Sequence, residues 1–359
     1  MKKKLKDICT GFTKNIAQRE LDELNGDYEI YGASGLIKKI DYYISEVPYI
    51  GIVKDGSGVG RVNSYPAKSS LIGTMQYIVP NDDINLQYLL YALRSLNLGN
   101  LFKGAAIPHI YFKEYKEFNV NVPSLPEQQK IAAHLDSIQS AIDNKKQQLQ
   151  QLDELVKSKF VEMFGDVVQN SKNWDLIEFE QLGELARGVS KHRPRGAPEL
   201  LGGKYPLIQT GDVANCDTYI TEYTSTYSEL GLAQSKMWKT GCLCITIAAN
   251  IAKTGILTFD ACFPDSVVGF IPNEKVNELY MHLWFSFFQS ILEYQAPQTA
   301  QKNLNMATLG KLKICVPPIE LQTTFAEYVQ KIDSAKSIIK TQLNDLNELL
   351  VSKMDHYFS

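Results

Sequence analysis

A segment of 45 residues occurs twice in this chain of 359. Residues 120–164, VNVPSLPEQQKIAAHLDSIQSAIDNKKQQLQQLDELVKSKFVEMF, align without a gap on residues 314–358, ICVPPIELQTTFAEYVQKIDSAKSIIKTQLNDLNELLVSKMDHYF, with 16 identities at a constant shift of 194. Val122/Val316, Pro123/Pro317, Gln128/Gln322, Leu155/Leu349, Ser158/Ser352 and Phe164/Phe358 are among them. Chance at ordinary composition would leave about two or three. A repeat of this kind forces the rest of the chain to be read as two copies of one unit. Weaker matches continue upstream: Val79-Pro80-Asn81 with Ile271-Pro272-Asn273 at a shift of 192, and Tyr28-Glu29-Ile30 with Tyr205-Pro206-Leu207 at 177. Leu5 through Gly11 is matched with Leu182 through Gly188, also at 177. The drift from 177 to 192 places about 15 additional residues in the second half, between positions 207 and 272.

The repeated segment has a helical period. Ser124 with Glu127 three residues on is a capping box, and Pro126 lies in the first turn where its missing N–H costs nothing. Behind it, Leu135, Ile142, Leu149, Val156 and Met163 recur in sevens, beside a second row of Ile131, Ile138, Lys145, Leu152 and Lys159. The second copy gives Val329, Lys336, Leu343, Leu350 and Tyr357, beside Phe325, Ile332, Ile339, Leu346 and Lys353. These are coiled-coil seams with lysine faults, and the faults fall at different places: Lys145 stands where the other copy has Ile339, and Lys336 where it has Ile142. The two helices are therefore expected to pair with each other, antiparallel, with Leu135, Ile142, Leu149, Leu152, Ile332, Leu343, Leu346 and Leu350 in the pairing surface. Each would form a rod of roughly 57 Å at 1.5 Å per residue. The globular stretches carry strand-like runs, Tyr49–Val53 and Cys242–Ile247, and a helix-like run each, 85–93 and 277–284. The expected fold is α+β: two β-rich domains, 1–123 and 166–317, alternating with two spacer helices, 124–165 and 318–359, in a pseudo-twofold repeat.

Chemistry-bearing motifs are sparse. Asp55-Gly56-Ser57-Gly58-Val59-Gly60 resembles a phosphate loop, but Arg61-Val62 replaces the Lys-Ser/Thr pair of a P-loop, so a tight turn between strands is the better reading. Its counterpart, about 248–255, keeps one glycine. Five histidines are dispersed, and none of the six cysteines forms a C-x-x-C pair or lies at zinc spacing. No catalytic residue, metal or cofactor is expected. With 37 basic and 40 acidic residues the chain is nearly neutral, and no half is strongly basic. Local clusters remain: Lys2, Lys3, Lys4 and Lys6, and a Gly/Pro-rich loop with Arg187, Lys191, His192, Arg193 and Arg195. Such cations suit phosphate oxygens or guanine edges, with a plainly solvated loop as the alternative. The candidate nucleic-acid contacts are Lys54, Ser57, Arg61, Lys103 and His109 in the first half, and Arg187, Lys191, Arg193, Arg195, Lys253 and Lys302 in the second. No run approaches 18 apolar residues, and the lysines at the N-terminus precede no apolar stretch, so a cytoplasmic protein without a membrane span is expected.

The segments PSLPEQQKI and LDELVKSKF, each following a β-rich unit, resemble those of the specificity (S) subunit of type I restriction-modification systems, along essentially the whole chain. The resemblance implies two target recognition domains, each reading one half of a bipartite site on double-stranded DNA, and paired helices that fix the gap between the halves. It implies no catalysis by this chain. Two methyltransferase (M) subunits would bind the helical regions and methylate adenine N6, and restriction (R) subunits can join them. The competing readings are a self-sufficient methyltransferase or nuclease, a two-headed coiled-coil interaction protein, and a stand-alone DNA-binding regulator.

Overall fold

A computed structural model describes residues 1–101, 108–167, 169–248, 251–295 and 305–358. The chain divides into two compact units, Met1–Gln148 with Ile338–Ser359, and Leu149–Ser337. Each takes one end of both long helices, Leu125–Phe164 and Ile319–Phe358, which have 40 residues each.

In the first unit Cys9–Phe12, Met75–Pro80, Tyr49–Val53 and Val62–Tyr65 form an antiparallel sheet in that order. Gly35–Ile40, Tyr28–Gly32 and Ser70–Leu71 form a second sheet, the last pair parallel. Lys2–Lys4 pairs with Asn119–Asn121. The helix Leu86–Ser95 presents Leu89, Leu90 and Leu93 to a core with Ile50, Ile52 and Ile78. The second unit repeats this plan: Gly183–Arg187, Val267–Pro272, Leu243–Thr246 and Thr254–Leu257 form the sheet, extended by Tyr219–Ile220. Leu201–Leu207 again lies between an antiparallel neighbour, Ser225–Tyr227, and a parallel one, Ala261–Cys262. Asp175–Glu178 pairs with Lys313–Val316. Its helix, Glu278–Gln295, presents Tyr280, Met281 and Trp284 to a core with Leu243, Ile245, Val268 and Phe270. The additional residues of the second half fall between Leu207 and Leu243, the stretch that holds the short helices Thr210–Asn215 and Glu229–Ala233.

The structure corrects the match at the start of the repeat. The Leu5 amide donates to Phe118 O, and the Phe179 amide donates to Leu312 O. Asn81 N donates to Ile8 O, as Asn273 N does to Leu182 O. Leu5 therefore corresponds to Phe179 and Ile8 to Leu182, a shift of 174 rather than 177. The two leucines at 5 and 182 differ by one three-residue turn: Leu5 opens the 3-10 turn Leu5–Asp7, and Leu182 follows the turn Phe179–Gln181.

Each unit contains an antiparallel stretch of the helix pair. In the first, Ile131, Ala132 and Leu135 cluster with Leu350, Met354, Tyr357 and Phe358, and His134 Nδ1 lies 2.8 Å from the Tyr357 hydroxyl. In the second, Phe160 and Phe164 meet Phe325 edge to face, with Val156, Val329 and Ile332 in the same cluster. The seam positions are the protected ones: Leu135 and Ile142 are buried, while Leu149, Leu152, Ile332, Leu343, Leu346 and Leu350 are half-buried. Lys336, the fault in the second seam, is only 15% exposed and forms an ion pair with Asp153 of the first helix. A charged residue in a seam position favours the one register in which it reaches its partner.

Candidate nucleic-acid interface

The glycine-rich stretch of the first unit is the connection between strands Tyr49–Val53 and Val62–Tyr65. Gly60 has φ +82°, and a Cβ there would meet Gly99 N at 2.1 Å, so only glycine lets this loop rest on the turn that follows the helix Leu86–Ser95. The contact forms a cleft lined by Ser57, Arg61, Asn63, Arg94, Asn97 and Asn100. Arg61 Nη1 donates to Ala33 O at 3.0 Å; Arg94 donates through Nε to Val62 O at 3.1 Å and through Nη2 to Asn63 Oδ1 at 3.3 Å. Neither guanidinium forms an ion pair among the described residues. Two cations held by neutral acceptors in one cleft leave a field suited to an anion.

On the other side of the same loop, Lys54 pairs with Asp55 at 3.1 Å, and Asp55 Oδ1 lies 2.7 Å from His109 Nδ1. The Ile110 amide donates to Lys54 O, tying the two segments together. Tyr111, 41% exposed, has the Lys54 and Lys113 ammonium groups 5.8 and 5.3 Å from its ring centre. An exposed ring flanked by cations is the pairing that meets bases and phosphates together. Lys54 and His109 are thus brought together, as are Ser57 and Arg61; Lys103 lies outside the described residues. Arg94, Tyr111 and Lys113 escaped sequence reasoning. Arg94 at the end of an apolar helix has the sequence appearance of a C-terminal cap.

The second unit holds its cations differently. Arg193 and Arg195 both reach Asp265, Arg193 at 3.6 Å, and Arg193 Nη1 also donates to Ser190 O and His192 O. Gln234 Oε1 accepts from the Lys191 and His192 amides at 2.6 and 3.0 Å. The basic loop is therefore anchored by side chains distant in sequence, at positions 234 and 265. Arg187 is exposed at the end of Gly183–Arg187, and Lys253 is exposed on the loop that corresponds to the glycine-rich one. Lys302 lies outside the described residues. Three of the four lysines at the N-terminus are paired: Lys4 and Lys6 each lie 2.8 Å from the one Glu117 carboxylate, and Lys3 lies 3.3 Å from Asp83. Hydrogen bonds from Lys4 and Lys6 hold the Glu117 carboxyl down to about 2.

Comparison with known proteins decides what the twofold plan is. The family described as "Type I restriction modification DNA specificity domain" matches residues 1–154 and 171–348, one match in each half. The chain belongs to that family. As a specificity subunit it is a two-domain DNA-recognition protein, the non-catalytic part of a type I system. A putative type I restriction enzyme MjaX specificity subunit from Methanocaldococcus jannaschii is 23% identical over 328 residues, covering 82% of this chain and 75% of that one. The Escherichia coli EcoDI specificity subunit is 20% identical over 373 residues, covering 89% and 78%. Among solved structures, the type I S subunit from M. genitalium superposes with a TM-score of 0.61 at 15% identity, covering 100% of this chain and 96% of that one. At that identity the likeness speaks for the fold alone. Among the described residues of the specificity chain, no helix is long and apolar enough to cross a membrane, and no group of three or more His, Cys, Asp or Glu could hold a metal ion.

Proposed function

We propose that this chain reads a bipartite double-stranded DNA target, one half-site per unit, and carries two M subunits into a cytoplasmic complex that R subunits join. The observation that carries this reading is the doubling itself: one recognition plan occurs twice, each copy fused to a 40-residue helix and each within a family match. Two half-sites read by two domains on one chain need no symmetric target, since the loops differ. In the first unit the reading surface is the loop 54–61 with Arg94, His109 and Tyr111. In the second it is Arg187, Lys191, Arg193 and Arg195, with Lys253 on the loop beside them; Lys103 and Lys302 remain candidates. The paired helices act as the ruler for the unspecified gap.

The docking surface for M subunits is proposed on the outward faces of the helices. Leu155 and Leu349 occupy the same repeat position and are 47% and 41% exposed. Glu154/Glu348 and Ser158/Ser352, identical in the two copies, are exposed beside them. Residues kept the same twice without a seam contact fit two copies of one partner. Replacing both leucines by aspartate should leave DNA-contacting loops unaltered and prevent co-purification of M subunits. Retention of two M subunits per chain would sink the assignment of this surface.

A further inference from the structure

Both units contain the same buried polar joint where the recognition domain meets its long helix. In the first, Gln128, 1% exposed, accepts from the Asn85 amide at 2.9 Å and donates through Nε2 to Asp83 O at 3.2 Å and Pro123 O at 3.0 Å. In the second, Gln322, 0% exposed, accepts from the Asn277 amide at 3.0 Å and donates to Lys275 O at 2.9 Å and Pro317 O at 2.8 Å. Around each glutamine the next bonds are also repeated. Asn85 and Asn277 cap the recognition unit's helix by accepting from the Tyr88 and Tyr280 amides, and these tyrosines donate their hydroxyls to Asn121 O and Cys315 O.

Burial alone would be served as well by leucine or methionine at these positions, and more cheaply, since a buried amide must find every partner. An amide adds direction. With both Nε2 hydrogens and the carbonyl engaged, the first turn of the long helix is fixed in rotation and in slide against the segment that opens the domain's own helix. The surrounding apolar contacts have no such angular preference.

We infer that Gln128 and Gln322 are positioning residues: each sets the orientation of its recognition unit on its spacer helix, and so the number of unspecified base pairs tolerated between the half-sites. The inference rests on the proposed bipartite reading. It concerns the gap and leaves base preference within each half-site to the loops.

The test uses the full chain expressed with its M subunit, unaltered or carrying Gln322→Met, and maps N6-methyladenine by long-read sequencing. The readout is modification at the native gap relative to gaps one base pair longer or shorter. Loss of the joint should leave both half-sites as they were and reduce that ratio by about tenfold, the factor that 1.4 kcal/mol of lost positional preference produces. Lower methylation everywhere at an unchanged ratio would mean a merely structural glutamine and overturn the inference. Should Gln322→Met not assemble, Gln322→Glu, which keeps the acceptor and, as a buried neutral carboxyl, can replace only one of the two donated bonds, and Tyr280→Phe, which keeps the ring, are read in the same way. An unchanged ratio in both also overturns it. Absence of any split motif with the unaltered chain would instead contradict the bipartite reading itself.

Discussion

The two units agree where they join their helices and disagree where they face outward. Gln128 and Gln322 make the same three bonds, and Tyr88 and Tyr280 the same hydroxyl contact at 2.5 and 2.6 Å. The cations do not correspond: Arg61 and Arg94 stand in a cleft with neutral acceptors, whereas Arg193 and Arg195 share Asp265. Arg94 corresponds to Ser286, and Tyr111 to Asn305. A common frame carrying unlike surfaces is what a reader of two different half-sites requires. The geometry that must be shared is in the core, and the chemistry that must differ is on the loops.

That comparison can be broken most forcefully at the helix ends. Phe160 is fully buried and stacks on Tyr280 and Phe287 at 5.6 and 4.9 Å, while its repeat partner Met354 is only half-buried. Phe160→Ala should destabilise the second unit by about 4 kcal/mol, and Met354→Ala the first by about 2, as read in denaturant unfolding. Equal destabilisation would show that the two joints are packed alike.

Acid should separate the units next. His282 is buried against Thr254, 2.9 Å away, and burial pushes its imidazole down to about 4 from 6.5. Its folded-state value is depressed, so the neutral ring is favoured in the native protein and the unfolded chain takes up the proton first. Stability is intact above pH 6.5 and falls as pH drops toward 4, by on the order of 3 kcal/mol at about 1.4 kcal/mol per unit. The corresponding residue of the first unit is Leu90, so between pH 6.5 and 4.5, above the range in which Glu117 of the first unit takes up a proton, the second unit should weaken more; His282→Leu should remove the difference. Parallel acid melting of both units would contradict this.

On DNA, the unlike surfaces should respond unlike. Arg61→Gln with Arg94→Gln should reduce the salt slope of binding by about 0.9 for each phosphate that the two side chains neutralise in the unaltered protein. Arg193→Glu with Arg195→Glu should weaken binding as well, but Asp265→Asn alone should strengthen it, because it removes the carboxylate that both guanidiniums share. An unchanged slope in the first case, or no gain in the second, would remove those residues from the interface. The smallest effect is the shared one: Tyr88→Phe and Tyr280→Phe should each cost about 1 kcal/mol, alike in both units.

Much of this architecture was legible in the sequence because a heptad seam and a gapless repeat are written in local spacing. Val122/Val316 through Phe164/Phe358 revealed the helices, their pairing and the doubling, and Gln128/Gln322 stood among the identities before any role could be read for it. The start of the repeat was less legible. Two leucines, Leu5 and Leu182, matched by letter, whereas the fold equates Leu5 with Phe179 because both are bonded through their amides to the strand end at 118 or 312. The anchoring of Arg193 and Arg195 was not legible either, since Asp265 lies some 70 residues on and no spacing rule connects them. Arg94 and Tyr111 became candidates only when the fold placed them beside a loop already singled out.

The central claim is that this one chain specifies a two-part DNA target, and methylome sequencing tests it most directly. N6-methyladenine would be mapped in cells expressing the chain with its M subunit, beside cells lacking only the chain. The account predicts a split motif, two short specified blocks separated by a fixed gap, present only with the chain. A motif that persists without the chain, or a single undivided block with it, would contradict the account.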